Sequence, residues 1–103
     1  MAQFDVYRNT NPHTCKAIPY LLDLQTDLLD ILKTRVVVPL ELNSASKSVQ
    51  RLTPIFEIEN QTVCMSTPEL AGIHTRYLGD YVGSLADKRA EIIAALDLLF
   101  SGF

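Results

Sequence analysis

The residues best suited to chemistry in this sequence are few and scattered. His13 and Cys15 share one segment, while Cys64 and His74 lie far along the chain. A metal centre needs several such ligands held together. None of these four has a recognised ligand spacing, so they read as one loop histidine, one strand histidine and two free, packed thiols. No metal and no cofactor is expected. A nucleophile needs a base beside it, and no Gly-x-Ser-x-Gly element is present. The glycines at 72, 79, 83 and 102 form no phosphate-cradling loop. Asp23, Asp27 and Asp30, followed by Arg35, are the one acid–base cluster. An Arg/Asp pair is what a small metal-free ribonuclease would use, but an ion pair at the mouth of a strand is the better reading. No catalytic residue is assigned.

Composition bounds the class of protein. Its 103 residues make one domain, 1–103, with 48% hydrophobic and 20% charged residues. That is an ordinary globular balance. A net charge of −3, with no basic run, argues against a surface that tracks phosphates. Met1–Asp5 lacks the pattern of a signal peptide, and no apolar stretch reaches the length of a membrane span. The expectation is a cytoplasmic protein.

Several short strands precede one helix. Gln3–Arg8 alternates, with Phe4 and Val6 on one face, and predicts a first strand. The polar, proline-broken run 9–14 is a turn. A second strand is expected at about 17–24. Residues 26–31 form either a helical turn or a wide connection. Arg35–Leu40 is β-branched and continuous, the pattern of a strand buried on both faces, which Pro39 should end or bulge. Residues 43–47 are the best loop candidate. Pro54–Glu59 and Thr62–Met65 form a hairpin around Asn60 and Gln61. Residues 68–73 are ambiguous, with a helical turn one option. His74–Leu78 is expected as the final strand, closed by Gly79.

The last segment predicts a helix that starts at Ser84 and Asp87, spaced like a capping box, and closes at Gly102. Ile92, Ala95, Leu96 and Leu99 project together. Ala90, Ala94, Asp97 and Ser101 make a flat strip opposite, with Ile93 and Phe100 at its edge. A helix of this kind can pack on its own domain and offer the strip to a partner.

Taken together, Gln3–Tyr7, Asp23–Asp30, Arg35–Leu40, Leu52–Ile55 and the Phe100-Ser101-Gly102-Phe103 tail resemble the CcdB family. These are the toxins of CcdA/CcdB toxin–antitoxin modules. The resemblance spans nearly the whole chain in the right order, and Met65, Ala71 and Leu78-Gly79 extend it. It implies a mainly β (α+β) fold: an SH3-like barrel of strongly bent antiparallel strands, with a small side sheet and the C-terminal helix. It also implies a homodimer that binds the DNA gyrase A protein and traps the enzyme on cleaved DNA, breaking no bond itself. The expected partners are gyrase, a CcdA-like antitoxin, and operator DNA only as a complex with that antitoxin. Carried onto this chain, the gyrase-binding residues are Leu28, Leu29, Asp97, Phe100, Ser101, Gly102 and Phe103.

Two positions depart from the family pattern. Ser101 stands where the family commonly has Trp, and aromatic anchors are typical binding hot spots. His74 stands where the family often has Pro. Two other readings remain open at this point: an endoribonuclease toxin on the same barrel, and a non-toxic dimer that only binds the antitoxin.

Overall fold

A computed structural model describes residues 2–29, 31–42 and 52–102. Its strands are β1 (Asp5–Asn9), β2 (Tyr20–Asp23), β3 (Thr34–Leu42), β4 (Ile55–Ile58), β5 (Gln61–Met65), β6 (Ala71–His74) and β7 (Leu78–Ser84). One helix follows, α1 (Arg89–Ser101). Every strand pairing is antiparallel, in the order β4-β5-β3-β2-β1-β7, with β6 also on β3. The result is a half-barrel of curled strands with the helix laid into its hollow. The β4–β5 hairpin and β6 share one edge of β3, so barrel and side sheet are parts of one hydrogen-bonded sheet.

The core lies between helix and sheet. Val6, Leu22, Val38, Leu40, Phe56, Val63 and Met65 meet Ile92 and Ala95 of the helix, with Ile93 and Leu96 packed against them. Ala90, Ala94, Asp97 and Ser101 are exposed, so the projected helix faces hold. Gly102 closes the helix at φ 77°, its N–H donating to the Leu98 carbonyl at 3.0 Å. A left-handed residue with no Cβ is what this geometry needs.

Several boundaries differ from the expectation, each for a local reason. β1 begins at Asp5 because Phe4 is left-handed, with φ 71°. That is an expensive conformation for a bulky residue. Phe4 is held there by its N–H on the Asp23 carbonyl, by Leu85 N–H on its own carbonyl, and by burial in the core. β2 is shorter than 17–24, since Ala17 and Ile18 donate to the Thr14 carbonyl in a turn. Pro39 neither ends nor bulges β3. Its missing N–H falls where β3 changes partner, between Val37 beside β6 and Leu40 beside β5. Its carbonyl still accepts from Ser66 N–H at 2.9 Å. Val36 is exposed, so β3 is not buried on both faces throughout.

The hairpin turn is Glu59-Asn60, one residue earlier than expected. Both have positive φ, 52° and 64°. A type I′ turn requires this at its two central residues. Asn60 suits the conformation and Glu59 does not. The Glu59 carboxylate is nevertheless held by Arg8 at 2.7 Å and by the Tyr20 hydroxyl at 2.6 Å. Those bonds hold its carboxyl below the ordinary glutamate value.

The ambiguous run 68–73 resolves into a 3-10 turn at Thr67–Glu69 and the start of β6. The final strand is Leu78–Ser84, not His74–Leu78; residues Thr75–Tyr77 form another 3-10 turn. Ser84 ends that strand and caps the short 3-10 turn Ala86–Lys88, accepting Ala86 N–H at 3.1 Å, so α1 starts only at Arg89. The loop expected at 43–47 lies outside the described residues.

Gly79 sits inside β7 at a register shift against β1, where two β7 residues face Arg8 alone. A Cβ there would meet the Arg8 carbonyl oxygen at 2.9 Å, whereas one at Gly83 would meet nothing within 4 Å. Gly79→Ala is therefore expected to lower stability by about 1–3 kcal/mol. Gly83→Ala should leave stability within about 1 kcal/mol of the parent or raise it. Urea denaturation of the two variants checks the contrast.

Candidate functional site

The Asp/Arg cluster forms a structural centre. Arg35 Nη2 lies 2.7 Å and Nε 2.9 Å from Asp23 Oδ2, and both side chains are fully buried. They sit on the sheet face away from the helix, beside Tyr7, whose hydroxyl is pushed up to about 12 by burial and by Asp5. Burial raises the Asp23 carboxyl above its ordinary value, while the Arg35 bond and Gln25 N–H pull the other way. Neither group can touch a substrate, so the expected ion pair is real but lies inside the sheet. Asp27 is spent on Gln3 N–H at 2.6 Å. Asp30 lies outside the described residues.

This pair organises the segment between β2 and β3. Asp23 Oδ1 accepts Gln25 N–H at 2.9 Å, and Arg35 Nη2 donates to the Gln25 carbonyl at 3.1 Å. The Gln25 carboxamide then behaves like an extra strand residue. It accepts Val36 N–H at 3.1 Å and donates to the Thr34 carbonyl at 3.1 Å and the Leu29 carbonyl at 3.3 Å. The loop it holds continues with a 3-10 turn at Asp27–Leu29 and carries Leu28 and Leu29 outward.

The second group of expected site residues is at the helix end. Asp97, Phe100, Ser101 and Gly102 are exposed there, Phe100 at 71%. Phe103 lies outside the described residues. No basic residue occupies the last turn, so Asp97 and the final helix carbonyls make this end electronegative. Leu28 and Leu29 are brought together on one loop, and Phe100 to Gly102 on one helix end. The loop is fastened to the start of α1 through Asp27, Gln3 and Arg89. Phe100 lies about 17 Å further along the helix axis.

The remaining candidates have structural roles. His74 Nδ1 accepts Arg76 N–H at 3.1 Å and so caps the 3-10 turn that leads into β7. Cys15 and Cys64 are free, half-buried and buried respectively. Among the described residues no three His, Cys, Asp or Glu side chains gather as metal ligands. Among those residues also, no helix is long and apolar enough to cross a membrane.

A family model described as CcdB protein matches residues 3–102. The chain belongs to the CcdB family. CcdB proteins are non-enzymatic toxins of CcdA/CcdB modules that poison DNA gyrase. Around the inaccessible ion pair, the expected site residues are exposed apolar side chains. The loop network was invisible in the sequence; the only signal for it was Gln25 standing between Asp23 and Arg35.

Cutting the buried pair tests its structural role. Arg35→Met leaves a buried, unpaired carboxylate and is expected to cost about 3–5 kcal/mol. Asp23→Leu combined with Arg35→Met should recover a large part of that loss. Chemical denaturation of the single and double variants reads both outcomes.

Proposed function

We propose that this CcdB protein binds the DNA gyrase A protein through the Leu28-Leu29 loop and the helix end, Asp97 and Phe100 to Phe103. Binding there would hold gyrase on cleaved DNA, with no bond broken by the toxin. The observation that carries the reading is the placement of large apolar side chains in water on rigid supports. Leu28 stands on a loop pinned by a buried network, and Phe100 on the last turn of a helix docked through Ile92 and Ala95. Covering one such side chain contributes about 1.5–3 kcal/mol. Ser101, with no aromatic ring, moves the weight of the contact onto Leu28, Leu29 and Phe100.

The protein is further proposed to work as a symmetric homodimer, neutralised by a CcdA-like antitoxin. Exposed Leu42, Tyr77 and Tyr81 favour association. Operator DNA would be bound only with the antitoxin, since the free toxin carries a net charge of −3 and so repels phosphates. The endoribonuclease reading loses its reagents, because Asp23 and Arg35 are sealed inside the sheet.

Incubated with gyrase, supercoiled DNA and the toxin, linear cleaved DNA should accumulate, while RNA mixed with the toxin alone stays intact. Deleting Gly102 and Phe103 should abolish the linear product with the melting temperature nearly unchanged. A large stability loss, or undiminished gyrase cleavage, would show that the tail belongs to the core. Unaltered gyrase with the parent toxin would favour the purely regulatory dimer.

Sedimentation at micromolar concentration should give twice the chain mass. A concentration-independent monomer would remove the dimer from the proposal.

A further inference from the structure

The loop after β2 exposes more apolar surface than Leu28 and Leu29 supply. Leu28 is 89% exposed and Ile31 90%; Leu29 is 45% exposed and Leu32 46%. These values repeat with a period of three residues, and two turns close the backbone here. Leu29 N–H donates to the Thr26 carbonyl at 3.1 Å, and Leu32 N–H to the Leu29 carbonyl at 3.0 Å. Both are bonds of the 3-10 type, in which side chains three apart eclipse. The two turns meet at Leu29, so Leu28, Leu29, Ile31 and Leu32 are all carried on this one loop.

Four aliphatic side chains thus form one ridge, two outermost and two at its flank. The ridge is fixed at both roots. Gln25 holds the Leu29 and Thr34 carbonyls on one side. Thr75 N–H donates to the Lys33 carbonyl at 2.8 Å on the other. A ridge pinned in this way loses little conformational entropy when it docks. Nearly complete exposure of Ile31 contributes nothing to the fold of the protomer.

We infer that Ile31 and Leu32 extend the gyrase-binding surface, with Ile31 as an apolar anchor equal in weight to Leu28. The occupant is the gyrase A protein, because the ridge is continuous with Leu28 and Leu29. This rests on the gyrase reading proposed above. It gives the chain a second outward aliphatic group on the loop, while Ser101 supplies none at the helix end.

Binding of purified gyrase A protein is to be measured for the parent, Ile31→Asn and Ile55→Asn. Ile55 is a half-exposed isoleucine on β4, away from the ridge, and controls for general loss of surface hydrophobicity. Ile31→Asn should weaken binding about tenfold or more, with the melting temperature and sedimentation unchanged. Ile55→Asn should bind gyrase like the parent. Parent-like binding by Ile31→Asn overturns the inference, and so does an Ile31→Asn protein that dissociates into monomers, since the ridge would then be a face between copies of this chain. A parent that fails to bind gyrase overturns the gyrase reading itself and the ridge with it. A parent that binds while Ile31→Asn is unaffected overturns the ridge alone.

Discussion

A fully buried ion pair, Asp23 with Arg35, is the interaction around which this protein is arranged. Such pairs are poor sources of stability, because desolvation offsets most of the attraction. Its value here is geometric. By fixing both the amide and the carbonyl of Gln25, the pair aims the Gln25 carboxamide along the edge of β3 just where β2 stops. The carboxamide then carries the sheet's hydrogen bonding into the following loop. Apolar side chains on that loop can face water without the backbone collapsing onto them. A hydrophobic replacement could match the pair in stability and still lose this directional hold.

The half-barrel divides its two faces between different tasks. One face takes Ile92 and Ala95 of the helix and makes the core. The other buries the ion pair next to Tyr7 and leaves the loop projecting. The helix works on the same principle: a face for its own domain, and an exposed end, Phe100 with Asp97, proposed here as a partner surface. Gly102 ends the helix in a left-handed turn directly after Phe100 and Ser101. Both candidate surfaces are apolar groups set on rigid elements, which suits a toxin that acts by holding its target rather than by reacting with it.

Features governed by local periodicity were legible in the sequence. The helix faces, the Gly102 cap and the β4–β5 hairpin follow from spacing alone, and the structure keeps them. Features that depend on distant partners were not. Phe4 is left-handed only because Asp23 and Leu85 secure it, and Glu59 only because Arg8 and Tyr20 do. Pro39 could sit inside a strand only because β3 changes neighbours at that residue. At the candidate site, the resemblance pointed to Leu28 and Leu29, but Ile31 and Leu32 looked like any apolar pair ahead of a strand. Their exposure depends on 3-10 bonds and on Gln25, none of which has a signature in composition.

The central claim is that the Gln25 network holds the loop in its binding shape. Gln25→Leu removes the carboxamide bonds to Val36, Thr34 and Leu29 while leaving the Asp23–Arg35 pair in place. Amide hydrogen exchange at Leu29 and Leu32, recorded on the same protein as gyrase affinity, tests the claim most directly. Faster exchange confined to this loop, together with weaker gyrase binding, is the expected result. A loop that exchanges faster yet binds gyrase with parent affinity would contradict it.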